Sequence, residues 1–163
     1  MGWKRILVPH DFSPCAVRAE RLAAELAELH LAQLLLLHVT SAPGLDPETE
    51  VGFSERAEAA PLSRRLTGEP KARLEHIAAT LRVRGLTVET EALVGPLAAT
   101  ILEQAEKHRS DVIVMGTHGR KGIQRLLLGS VAEDVLRRAH IPVVTIRYED
   151  EEAATPLLVP SGA

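Results

Sequence analysis

Toward the C-terminal end of the chain stand Gly116-Thr117-His118-Gly119, nine further residues, and then Gly129-Ser130. Residues without a Cβ let backbone amides come close to an anion, and the start of a helix offers unpaired N–H groups at the positive end of its dipole. Glycines at this spacing, closing on a hydroxyl residue, suit a cradle for a phosphate group. The setting strengthens the reading: Val112 to Met115 is a short apolar run before the glycines, and an amphipathic stretch begins at Val131 after them. Arg120, Lys121 and Arg125 cluster inside the gap, where cations suit a polyphosphate. Asp11 offers a carboxylate just beyond another apolar run, Ile6-Leu7-Val8.

These groups need a scaffold, and the chain alternates between two periodicities. Ile6-Leu7-Val8, stopped by Pro9, reads as a buried strand. Ser13-Pro14 then has the form of an N-cap followed by proline in the first helical position, and Ala19, Leu22, Ala23, Leu26 and Leu29 follow as a helical stripe. Leu34 to Val39 predicts a second strand. Residues 40 to about 53 read as a loop, and a second helix is expected within 54–84, interrupted at Pro61 and at Gly68-Glu69-Pro70. Leu86 to Ala92 alternates between apolar and polar positions, which predicts a strand with one wet face at a sheet edge. Gly95-Pro96 opens a third helix with Leu97, Ile101, Leu102 and Ala105 on its buried side.

Val112 to Met115, apolar on both faces, predicts a central strand. Ser130 with Glu133 has capping-box form, and Ala132, Val135, Leu136 and Ala139 make the next stripe. Val143 to Ile146 after Pro142 predicts a last strand. Strands alternating with helices imply an α/β, Rossmann-like fold: an open parallel sheet with right-handed crossovers and helices on both faces. Such sheets bind ligands beyond the strand C-termini, where the topology reverses.

Composition bounds the rest. The 163 residues suffice for one domain, expected over 1–147, with an acidic and then Ala/Pro-rich tail over 148–163 expected to be disordered. A net charge of −3 and only four aromatics, Trp3, Phe12, Phe53 and Tyr148, speak against a nucleic-acid surface. The lone Cys15 suits a reducing cytosol and reads as a small packed residue. No metal-ligand spacing links His30, His76, His108 and His140. No apolar run is long enough to span a bilayer and no signal-peptide layout opens the chain, so a cytoplasmic protein is expected. Val143, Val144 and Ile146 put apolar groups on both faces of an edge strand, which predicts a homodimer there.

Ile6 to Ser13, Gly95-Pro96, Asp111 to Gly119, Gly129-Ser130-Val131-Ala132 and Ile141 to Val144 together resemble the universal stress protein family, and the glycine spacing resembles its ATP-binding branch. The resemblance implies a five-stranded sheet of order 3-2-1-4-5, a symmetric dimer, and ATP with Mg2+ or Mn2+ in the crevice. It implies that Pro9, His10 and Asp11 lie beside the nucleotide, with Asp11 near the ribose and the metal–phosphate region and no firm role for His10. Val39, Leu93 and Val94 would meet the adenine. Met115, Gly116, His118, Gly119 and Arg120 would border ribose and phosphates, and Gly129, Ser130, Val131 and Ala132 would hold phosphate. The implied function is a stress-response regulatory protein with slow or no ATP hydrolysis and no catalytic residue. The alternative is a nucleotide-dependent enzyme, an ATP hydrolase or nucleotidyl transferase, on the same fold. That alternative lacks the Gly-x4-Gly-Lys-Ser/Thr, Gly-x-Gly-x-x-Gly and Ser-Gly-Gly-x-Asp-Ser loops. A phospho-acceptor receiver domain would need acidic neighbours for Asp11 at the other strand ends.

Overall fold

Four-residue leucine runs and their kin become strands here because both of their faces can be covered. The computed structural model describes residues 2–41, 53–117 and 129–147, with residues 53–66 described in their backbone alone. In chain order the elements are β1 (Arg5–Pro9), α1 (Pro14–His30), β2 (Gln33–Thr40), α2 (Phe53–Val83), β3 (Val88–Val94), α3 (Leu97–Lys107), β4 (Val112–Gly116), α4 (Ser130–Arg138) and β5 (Val143–Ile146). The strands form one parallel sheet of order β3-β2-β1-β4-β5. Successive side chains alternate between its faces. Ile6, Val8, Leu34, Leu36, Val112 and Val114 pack toward α1 and α2. Leu7, Leu35, Leu37, Ile113 and Met115 pack toward α3 and α4. The alternating order of strand and helix thus yields the expected two-faced α/β architecture, and β3 takes the edge that its wet face predicts.

Four local expectations are corrected. The stripe on α1 is deepest at its alanines: Ala19, Ala23, Ala24 and Ala27 are buried, Leu22 and Leu26 pack half-buried against the core, and Leu29 is 76% exposed. Small residues win that face because they let the helix lie close to the sheet. Likewise Leu136 is 40% exposed, leaving Ala132 and Val135 as the buried residues of α4. The helix α2 runs unbroken through Pro61 and Gly68-Glu69-Pro70. A proline removes one i→i−4 bond, and burial of Leu74, Ala78 and Leu81 against the sheet offsets that loss. The N-cap of α4 is Gly129, so Ser130 is the first helical residue and no capping box forms. By contrast Ser13 caps α1 as its sequence predicts, its Oγ accepting the Ala16 N–H at 3.2 Å. Cys15 is buried in the first turn of that helix.

The outer edge of β3 is covered by basic side chains of α2. Arg82 donates from Nε and Nη2 to the Val88 carbonyl at 3.1 and 2.7 Å, and Lys71 Nζ donates to the Thr90 carbonyl at 2.5 Å. Occupied carbonyls of this kind blunt an edge strand. Glu75 ties the arrangement together, accepting the Thr90 hydroxyl and, at 2.9 Å, Arg82 Nη1. The Thr90 hydroxyl and then Arg82 hold the Glu75 carboxyl below its ordinary pKa. A carboxylate depressed in the folded state stabilises above its unfolded pKa and loses that contribution as pH falls through its folded value. Both side chains are over 40% exposed, so Arg82→Ala is expected to cost only about 1 kcal/mol at neutral pH. The deficit should shrink at strongly acid pH, where Glu75 is protonated in parent and variant alike. Urea denaturation at the two pH values checks this; an equal deficit at both would remove Glu75 from the account.

Among the described residues no helix is long and apolar enough to cross a membrane. The acidic tail, the stretch 42–52 and the basic group Arg120, Lys121 and Arg125 lie outside the described residues.

Candidate functional site

A parallel sheet whose chain starts in the middle, runs to one edge and then crosses to the other leaves a gap beyond the C-termini of the two central strands. Here those strands are β1 and β4. The chain leaves β1 through a tight turn. His10 N–H donates to the Leu37 carbonyl at 2.7 Å, Ser13 N–H donates to Asp11 Oδ1 at 3.0 Å, and α1 follows at once. The chain leaves β4 at Gly116. Thr117 N–H donates to the Ile146 carbonyl at 2.9 Å, and the Thr117 carbonyl accepts the Gly129 N–H at 2.7 Å. That last bond brings the start of α4 to the mouth of the gap.

The result is a cleft of about 500 Å3. Of the residues that the sequence assigns to a ligand, Pro9, His10, Asp11, Val39, Met115, Gly116, Gly129, Ser130, Val131 and Ala132 line it. Leu93 and Val94 are not among its walls: they pair with Val39 and Thr40 at the far end of the edge strand. His118, Gly119 and Arg120 lie outside the described residues. Sequence reasoning missed Ser13 and Ala16 from the first turn of α1, Leu37 of β2, Leu97 and Ile101 of α3, and Thr117. A signal existed for three of these. Leu37 shares a strand face with Val39, and Leu97 precedes Ile101 by one helical turn on the stripe already read as buried.

The walls divide by chemistry. Leu37, Val39, Leu97, Ile101 and Met115 make the cleft's apolar walls, while Asp11 and Ser13 before α1 and Thr117 and Ser130 at the approach to α4 supply its polar ones. Gly129, the N-cap of α4, supplies no side-chain cap there, which suits the amides of that first turn to an acceptor with negative charge. An apolar ring system with an anionic tail fits this division. Asp11 is the one carboxylate among the described residues lining the cleft, and no group of three or more His, Cys, Asp or Glu able to hold a metal ion occurs among the described residues. A hard divalent cation at Asp11 therefore needs further oxygens, of the kind that a bound phosphate chain and water supply.

Two residues turn out to answer to packing as well. A Cβ on Gly116 would lie 2.7 Å from Cys15 Cβ and 3.0 Å from the Cys15 carbonyl carbon, so α1 itself demands glycine there. His10 is 3% exposed and structurally engaged: Nδ1 accepts the Phe12 N–H at 3.1 Å, which leaves Nε2 to carry the proton and donate to Glu20 at 3.3 Å.

Comparison with known proteins matches this architecture. The family model described as "Universal stress protein family" matches residues 2–147. A universal stress protein of Methanocaldococcus jannaschii is 33% identical over 150 residues, covering 92% of this chain and 85% of that protein. The solved structure of a second protein from that organism superposes with a TM-score of 0.79 at 30% identity, covering 92% of this chain and 99% of its own. A universal stress protein from Archaeoglobus fulgidus, solved in complex with dAMP, has a TM-score of 0.58 at 28% identity, covering 90% of this chain and 99% of its own.

Proposed function

The chain belongs to the universal stress protein family, and from that premise we propose that it is an ATP-binding regulatory protein that works through its bound state. The observation that carries the reading is the cleft at the β1/β4 switch point, with the open first turn of α4 at its polar end. Adenine occupies the apolar slot beside Leu37, Val39 and Ile101. The triphosphate reaches the amides of Val131 and Ala132 and the Ser130 hydroxyl. Asp11 faces the ribose and, with the phosphates, holds Mg2+ or Mn2+, which neutralises phosphate charge when bound. The Archaeoglobus relative solved with dAMP supports an adenine nucleotide as the class of ligand.

Two copies associate along β5. The edge at β3 has its outer carbonyls taken by Arg82 and Lys71, which favours the opposite edge for pairing with a second chain. Val143 and Val144, half-buried on opposite faces of β5, would become core in such a dimer.

Turnover is slow or absent, because Asp11, the one carboxylate on the described walls, is assigned to the ribose and the metal rather than to an attacking water. Isothermal titration with ATP, ADP, AMP and cyclic AMP, with and without Mg2+, tests the proposal. Micromolar binding of ATP without multiple turnover is expected. No binding of any of the four would sink it, and rapid turnover with a second substrate would replace it with the enzymatic alternative.

A further inference from the structure

Between the cleft residues Asp11 and Ser13 stands Phe12, which does not line the cleft. Its backbone has φ of 64°, a left-handed conformation that bulky L-residues rarely adopt. Its ring packs instead toward the α1/α2 face of the core. There it stacks on the His38 imidazole, with centroids 4.9 Å apart and planes at 26°, and the Arg73 guanidinium of α2 lies 3.8 Å above its centroid. The His10 ring leans against it at 5.1 Å. The backbone is fastened in the same place: Phe12 N–H donates to His10 Nδ1, and His38 Nδ1 donates to the His10 carbonyl at 2.7 Å.

A strained residue persists where its surroundings over-determine it, and such sites commonly serve a ligand. We propose that Phe12, clamped between Arg73 and His38, is a positioning residue for nucleotide binding: it holds the turn that presents the Asp11 carboxylate to the cleft. The inference rests on the nucleotide reading given above. Phe12 touches no ligand itself. With the clamp intact, the left-handed step at Phe12 sends its ring to one side of the sheet and keeps Asp11 and Ser13 on the cleft wall. Without it the backbone is released toward commoner conformations, and the Asp11 carboxylate loses its fixed place. Because Arg73 belongs to α2, the clamp also makes α2 a support for a site at the C-terminal end of β1.

Phe12→Gly is the informative variant, since glycine adopts this φ freely and the fold survives while the clamp is lost. ATP affinity by titration is expected to fall about tenfold in Phe12→Gly and about threefold in Arg73→Ala, an exposed position that tests the clamp should the first variant fold poorly. Phe12→Tyr, which keeps the ring, should bind as the parent does. In an Asp11→Ala background the Phe12→Gly change should have little further effect, since the group being positioned is gone. In the ligand-free protein, hydrogen exchange of the Ser13 amide, which donates to Asp11, should quicken in Phe12→Gly and stay slow in Phe12→Tyr. Parent-like affinity in Phe12→Gly and Arg73→Ala, independent multiplying losses in the double variant, or unchanged Ser13 exchange would each overturn the inference and leave the nucleotide reading standing. A parent protein that binds no nucleotide would overturn both.

Discussion

Alanine at position 116 is expected to destabilise the protein by about 2–3 kcal/mol, a large effect for one added methyl. The methyl has nowhere to go. It would sit 2.7 Å from Cys15 Cβ, 3.0 Å from the Cys15 carbonyl carbon and 3.2 Å from the Ala16 nitrogen. Two of those three atoms are backbone in the first turn of α1, so no rotamer change relieves the contact. The helix must move off the sheet, and the alanine face that packs it there, Ala19, Ala23, Ala24 and Ala27, moves with it. Urea denaturation measures the loss. Parent-like stability would mean that α1 can shift by several tenths of an ångström without penalty, and the account of why this position is glycine would fail.

Valine at position 129 is expected to do the opposite: leave stability almost unchanged and weaken ATP by about 2 kcal/mol, roughly thirtyfold. Gly129 has φ of −63° and ψ of 146°, an extended conformation that any residue adopts. Nothing in its backbone geometry asks for glycine. Its N–H bond to the Thr117 carbonyl at 2.7 Å survives the substitution. What the branched side chain does is crowd the mouth of the cleft beside the amides assigned to the phosphates. Titration with ATP, paired with a thermal melt, separates the two effects. A folded Gly129→Val protein that binds ATP as tightly as the parent would remove the first turn of α4 from the binding site.

The two glycines illustrate what could be read from the chain before its fold was known. Their spacing drew attention to both, and both line the cleft. The sequence did not reveal that Gly116 answers to α1, because that contact joins positions a hundred residues apart. The strands were legible because Leu34 to Leu37 and Val112 to Met115 are too short for helices and too apolar for loops, and the wet face of β3 announced an edge. Periodicity failed where size mattered more than hydrophobicity: Leu29 fits the stripe of α1, yet close packing selects the alanines. The capping pattern failed by one residue, since Ser130 with Glu133 looks the same whether the serine precedes the helix or begins it. The apolar walls Leu97 and Ile101 were legible as a buried stripe but not as ligand neighbours, because a slot for a ring and a buried core ask for the same side chains. The left-handed Phe12 had no signal at all. Its ring lies against His38 and Arg73, residues that only the folded chain brings beside it.

The N-cap of α4, Gly129, supplies no side-chain cap, so an anion bound there would add to the stability of the helix itself. Nine residues form a short helix, with little intrinsic tendency to persist alone. An anion at its head supplies the charge that a capping residue gives elsewhere. Occupancy and helical order at this corner then rise and fall together, by the same linkage that lets any ligand of the native state stabilise it. On the proposed reading, nucleotide supply would be reported as local stiffness, with no bond broken to send the message.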